Sequence, residues 1–194
     1  MKKITKKLLE GKLFQKMFRN PFMLIDRSLA PIARNIYMKQ TPIENKILFT
    51  TSTGNFNCNP KAIANEILKR GLPWELIWVK KKTSQTHAYP QGIDVVLWGS
   101  AEFFEAASTS KIWIANSTYL PRQKMYKKAN QYQIQTWHGS IGLKRLEATN
   151  DQEWIDLTKI DVKNTDFCIS NSTFEDDVYK NTFWGDTKIL QYGH

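Results

Sequence analysis

The sequence predicts an α/β fold: a Rossmann-like parallel sheet with helices on both faces over residues 46–194, preceded by a basic helical leader over residues 1–45. Three observations predict it. From Lys46 onward, short runs rich in Ile, Leu, Val and Trp alternate with helix-length stretches, the order that builds parallel strands joined by crossover helices. The links between them are short and hold Gly, Pro, Asn and Ser. Apolar residues make up 41% of the 194, enough for one domain with a real core.

The elements follow in order. Lys46 to Thr51 reads as a buried strand and Ser52 to Asn59 as a loop. Pro60 to Arg70 reads as a helix with Asn59 at its N-cap, Pro60 in its first turn and Gly71 after its end. Trp74 to Val79 and Asp94 to Trp98 are the next strands. A helix at Ser100–Ala107 leads to a strand at Ile112–Ala115. Residues 120–130 suit a helix, and Tyr132 to Thr136 alternates polar and apolar residues as a strand does. A helix-like run holds Leu143 and Leu146, another stretch centres on Glu153–Thr158, and a strand spans Phe167–Ser170. A helix at Thr173–Asn181 and a strand at Lys188–Gln191 complete the pattern.

In such a sheet ligands bind beyond the carboxyl ends of the strands. Three loops fall there: Thr53 to Pro60, Asn116-Ser117-Thr118 and His138-Gly139-Ser140. This topology brings all three to one crevice. His138 is the residue best suited to chemistry, because histidine ordinarily titrates near pH 6.5 and so serves as a base or acid near neutrality. Gly139 allows close approach of a ligand or of backbone, Ser140 suits the cap of the next helix, and Lys144 adds a cation one turn further on. Gly54, ahead of a capped helix, suits either an anion-binding N-terminus or a plain turn. Trp137 reads as packing and His87 as a surface residue. The scattered histidines and carboxylates give no metal-ligand spacing, and no GxSxG elbow or Walker loop is present.

Charge divides the chain. Residues 1–40 carry a net +8 and the remainder only +2 of the total +10, so the body lacks the basic face of a nucleic-acid-binding domain. Lys2, Lys3, Lys6, Lys7, Lys12 and Lys16 interleave with Ile4, Leu8, Leu9, Leu13 and Phe14. That mixture suits an anchor on an anionic membrane surface, although a helix packed on the body or a nucleic-acid arm would share the composition. From Phe22 to Ile36 the apolar residues fall on one helical face, kinked at Pro31. No run reaches the ~18 apolar residues of a membrane span. The two cysteines, Cys58 and Cys168, form no CxxC pair and fit a reducing compartment.

Gln135-Thr136-Trp137-His138-Gly139-Ser140, followed by Lys144, resembles the tryptophan-histidine-glycine-threonine motif of the CDP-glycerol glycerophosphotransferases, which build teichoic acids and related polymers in Gram-positive bacteria. Asn59 to Ile63, Ile169 to Ser172 and Tyr192-Gly193 are similar to further landmarks of that family, so the resemblance runs from about residue 46 to the end. Ser140 stands where the family has threonine, and Ile141-Gly142 where it commonly has proline-leucine. The resemblance implies the N-terminal half of a GT-B-type arrangement, with the C-terminal domain and most of the donor nucleotide site beyond this chain. It further implies transfer of glycerol phosphate from CDP-glycerol to a hydroxyl of a lipid-linked polyol-phosphate acceptor, with His138 as general base and release of CMP. Gly139, Ser140, Lys144, Gly54, Asn59 and Asn116 are then candidates for holding phosphate or substrate. No cofactor, metal or nucleic acid is expected, a homo-oligomer stays open, and the expected location is the cytoplasmic face of the membrane. A ribitol-phosphate or other nucleotide-linked donor on the same fold is the alternative, as is a non-catalytic half-domain that binds polyanions or tethers a partner to the membrane.

Overall fold

The structure is a computed structural model that describes residues 39–86, 88–118, 125–138, 151–182 and 184–193. The leader lysines, His87, Gly139, Ser140, Lys144, the helix-like run at Leu143–Leu146 and His194 lie outside the described residues.

Seven parallel strands form one sheet: β1 (Glu44–Thr50), β2 (Glu75–Lys80), β3 (Ile93–Leu97), β4 (Ser110–Ala115), β5 (Tyr132–Gln135), β6 (Phe167–Ser170) and β7 (Lys188–Gln191). Their spatial order is β3-β2-β1-β4-β5-β6-β7. The chain therefore winds outward from β1 in one direction, then returns and winds outward in the other, and β1 and β4 flank the point of reversal. Among the described residues, helix α1 (Cys58–Lys69) follows β1, α2 (Ala101–Thr109) follows β3, α3 (Gln152–Asn164) follows β5 and α4 (Thr173–Lys180) follows β6.

Strand periodicity divides the core. Leu48 points to one face, where it meets Ile77, Val79, Phe103 and Trp113 under α2. Ile47 and Phe49 point to the other, with Ala64, Leu76, Trp78 and Ile114 under α1. A third cluster under α4 joins Trp137, Cys168, Tyr179 and Trp184. Two of the buried indoles satisfy their donors on backbone: Trp113 Nε1 donates to Ala107 O at 2.9 Å and Trp78 Nε1 to Gly54 O at 3.2 Å. Cys58 is exposed, Cys168 is buried, and both are free thiols.

Three sequence expectations need correction. First, α1 begins ahead of Pro60. Its N-cap is Asn57, whose side chain makes no capping bond, and Asn59 sits inside the first turn. The first N–H groups of a helix have no intrahelical partner, so Pro60 fits there as well as at the first position. Second, residues 125–130 are not helical. Gln131 is buried and donates to Ala107 O and Ser110 O, and its Oε1 accepts Lys128 N at 2.8 Å. Lys128 Nζ reaches Thr41 O and Ser108 O at 2.7 and 2.6 Å. These long-range bonds outweigh the helix propensity of the segment. Third, β1 begins at Glu44, two residues ahead of the expected strand start at Lys46, and Lys128 holds Thr41 beside it.

Candidate functional site

The loops after β1, β4 and β5 meet at the carboxyl edge of the sheet, as expected, and Asn116 holds them together. It follows the last residue of β4 and is 1% exposed. Its Oδ1 accepts Ser52 N from the β1–α1 loop at 2.9 Å, and its carbonyl oxygen lies 2.5 Å from His138 Nδ1 after β5. From α1, Asn59 Nδ2 donates to Thr136 O at 3.2 Å. Two of the predicted site residues thus knit the loops to one another, and His138 is the one left exposed to solvent. Asn116 Nδ2 and Ser117 Oγ are buried in this region without hydrogen-bond partners among the described residues.

A carbonyl oxygen only accepts, so His138 Nδ1 carries the proton in this contact. In the neutral ring the lone pair is then on Nε2, and the ring has one defined basic atom. The imidazole also lies against the Trp137 indole, with centroids 4.3 Å apart.

The backbone just before His138 is unusual. Trp137 has φ 51, in the left-handed region, which costs about 1–2 kcal/mol for an L-residue. Two features offset it. The indole is buried, edge-on to Trp184 at 4.8 Å, and the Trp137 N–H donates to Gln135 Oε1 at 3.0 Å. Trp137 is a packing residue, as its sequence setting implied.

Gly54 does something other than offer its N–H to an anion. That N–H donates to Thr51 O at 3.1 Å and is spent inside the turn. The residue has φ 76, and a Cβ placed on it would lie 2.5 Å from Lys81 N, so glycine is required for close approach of two backbones. The rest of the loop is equally fixed: Asn55 Oδ1 accepts Ser84 Oγ at 3.0 Å and Gln85 N at 2.6 Å, and Phe56 N donates to Thr86 Oγ1 at 2.9 Å.

Sequence reasoning missed several residues here. Lys81, just after β2, reaches over the same loop, donates to Ser52 O at 2.6 Å and lies 5.7 Å from the Trp98 ring centroid. Within the run Lys80-Lys81-Lys82, only its position at a strand's carboxyl end marks it. Behind β5, Gln133 and Gln135 are fully buried and both donate to Asp161 of α3. Burial pushes the Asp161 carboxyl up to about 7, against the pull of the two glutamine amides. On the next strand, Asn171 N donates to Glu175 Oε2 at 2.7 Å and Tyr179 OH to Glu175 Oε1 at 2.6 Å, while Ser170 Oγ pairs with Asp176. Burial raises the Tyr179 hydroxyl and the Cys168 thiol well above their ordinary values, with the Glu175 and Asp176 charges adding to both shifts. Among the described residues no group of three or more His, Cys, Asp or Glu is placed to hold a metal ion, and no helix is long and apolar enough to cross a membrane.

The described parts of the segments that carry the family resemblance fall at this one edge. Asn59–Ile63 opens α1, Gln135–His138 ends β5, Ile169–Ser172 runs from β6 to the cap of α4, and Tyr192-Gly193 follows β7. Gly193 N donates to Ser170 O at 2.9 Å, which ties the last two together.

Comparison with known proteins agrees with this fold. The structure of the wall teichoic acid polymerase TagF superposes with a TM-score of 0.72 at 22% identity, covering 93% of this chain and 46% of that one. A histidine-to-asparagine variant of TagF soaked with CDPG gives a TM-score of 0.71 at 22% identity, with the same coverage. The likeness establishes the α/β fold with its parallel sheet. The teichoic acid poly(glycerol phosphate) polymerase of Staphylococcus epidermidis is 26% identical, across 80% of this chain and 23% of that protein. This chain thus spans less than half the length of each of these relatives. The family described as CDP-glycerol:poly(glycerophosphate) glycerophosphotransferase matches residues 33–194, and the chain belongs to that family.

Proposed function

We propose that this chain supplies the His138 half of a cleft that transfers glycerol phosphate from CDP-glycerol to a hydroxyl of a membrane-lipid-linked teichoic-acid or capsule-type acceptor. The observation that carries this reading is the His138 Nδ1 contact with the Asn116 carbonyl, which leaves Nε2 as the base on an exposed ring one strand from the switch point of the sheet. Nε2 takes the proton of the acceptor hydroxyl as its oxygen attacks the β-phosphorus of the donor. The bond from that phosphorus to the bridging oxygen breaks, and CMP leaves with the electron pair. A hydroxyl is a weak nucleophile, and a placed base contributes about 10²–10⁴-fold. Charge on the phosphoryl oxygens needs fixed donors and cations. Lys144 and Ser140 are the sequence candidates for that task. Family membership supports the reaction class, and the CDPG soak of the TagF variant supports a CDP-linked donor. The lipid-linked acceptor accounts for the basic leader, and the reading sets the protein peripherally on the cytoplasmic face of the membrane.

The test is CMP release from CDP-glycerol with a lipid-linked acceptor, by the longest natural reading frame that contains this chain, beside its His138→Ala variant. Release by the wild type alone supports the reading. Equal release by a folded variant removes His138 from the chemistry. Release from CDP-ribitol in place of CDP-glycerol reassigns the donor, and no release from either favours a binding half-domain.

A further inference from the structure

A buried carboxyl that the mechanism does not use lies directly behind the His138 turn. Asp161 on α3 is 0% exposed, and its two oxygens divide between two glutamines of β5. Gln133 Nε2 donates to Oδ1 at 3.0 Å and Gln135 Nε2 donates to Oδ2 at 3.2 Å. The glutamines are alternate residues of one strand and so share a face. Gln133 is held a second time, since its Nε2 also reaches Thr165 Oγ1 at 3.3 Å and that hydroxyl donates to Asp161 O at 2.9 Å.

Gln135 connects this clamp to the site. With its NH₂ turned to Asp161, its Oε1 faces the opposite way and accepts the Trp137 N–H at 3.0 Å. The two ends of an amide have nearly the same shape but opposite hydrogen-bond character. Something must select which end meets Trp137, and above about pH 7, where the Asp161 carboxyl has ionised and only accepts, it selects that end. A turned-over Gln135 would set NH₂ against N–H, donor against donor, at a residue already in the left-handed region with φ 51.

We propose that Asp161 is a positioning residue for His138: its carboxylate fixes the orientation of the Gln135 amide, and that amide's oxygen holds the Trp137 peptide that presents the His138 ring to the Asn116 carbonyl. The inference deepens the reading of His138 as the base and rests on it for its purpose. Its geometry stands on Asp161, Gln135 and Trp137 alone.

The experiment reads the His138 ring by nitrogen NMR on the full chain, above the histidine titration range and without substrate. The wild type shows the single tautomer with the proton on Nδ1. Asp161→Asn sets an amide against two amides. Gln133 is retained by Thr165, so Gln135 turns, and the single tautomer is lost to a mixture. Adding Gln135→Glu restores the pattern, because the new carboxylate accepts from the amide at 161 on one side and from Trp137 N–H on the other. Loss in the single variant and recovery in the double variant support the proposal. A folded single variant that keeps the wild-type tautomer overturns it, as does a folded double variant that fails to recover it. If Asp161→Asn does not fold, the double variant decides alone: a folded protein with the Nδ1 tautomer supports the proposal, and an unfolded one overturns it. No turnover enters this readout, so its outcome is separate from that of the CMP-release assay.

Discussion

His138 Nδ1 and the Asn116 carbonyl oxygen lie 2.5 Å apart, across the loops that follow β5 and β4. The acceptor is main chain, so the tautomer of His138 does not depend on the Asn116 side chain. That side chain has a separate task, accepting Ser52 N at 2.9 Å.

Asn116→Ala should therefore leave the His138 ring in place while freeing the Ser52 N–H. A partly buried donor left unpaired costs about 1–3 kcal/mol. Urea denaturation should show a lower midpoint with an unchanged slope. An unchanged midpoint would mean that water replaces the lost acceptor and that the loops are not held by this bond.

Gly54→Ala should destabilise the protein by at least about 2 kcal/mol, from the left-handed backbone and from overpacking together. The added methyl would sit 2.5 Å from Lys81 N, which is backbone and cannot swing aside. Thermal unfolding of the pair checks this. A variant as stable as the wild type would show that β2 and the β1–α1 loop can separate freely.

Asp161 gives the protein a stability term that falls with rising pH. Its folded value of about 7 stands above the ordinary 3.8, so the native state binds more protons than the unfolded chain between those values. The contribution is complete at the acid end of this window, falls by at most about 1.4 kcal/mol per pH unit, and is gone once the folded carboxyl has ionised. The difference in unfolding free energy between wild type and Asp161→Asn should decline across that window. A difference that stays level from acid to neutral pH would show that Asp161 keeps its ordinary titration.

Removal of residues 1–40, which carry a net +8, should release the protein from vesicles containing anionic lipid. Each lysine near such a surface contributes about 1 kcal/mol, and the effect is screened by salt. Co-sedimentation at low and high ionic strength measures it. Equal binding with and without the segment would place the membrane contact elsewhere or nowhere.

The sheet was legible because a fully covered parallel sheet writes its strands as continuous apolar runs, such as Ile47 to Phe49 and Leu76 to Val79. The site was legible in part for a related reason. Where strands end, residues such as His138 and Asn116 stand out against apolar neighbours. The clamp behind the site was not legible. Gln133 and Gln135 read only as the polar half of an alternating strand, although they are fully buried and Ile134 is only half-buried. Their partner Asp161 lies 28 positions beyond Gln133, in a helix whose other acidic residues include the exposed Asp156. Only the packing of α3 on β5 shows which carboxylate turns inward. The segment at 125–130 misled for the same reason, since the Lys128 ammonium is held by carbonyls far away in sequence while its backbone N–H goes to the Gln131 side chain.

The strand order has a consequence during synthesis. The Ser52–Asn116 bond joins residues 64 apart, and the β1–β4 pairing beside it spans a similar stretch of chain. While the chain is being made, β1 can pair with β2 and β2 with β3, but the other edge of β1 has no partner until β4 emerges. That waiting edge carries Ile47, Leu48 and Phe49, all buried in the finished protein. Non-local parallel pairing is slow, and an open apolar edge is a template for other chains. The reversal in strand order that creates the crevice thus leaves one apolar strand edge of the newborn chain open until its fourth strand arrives.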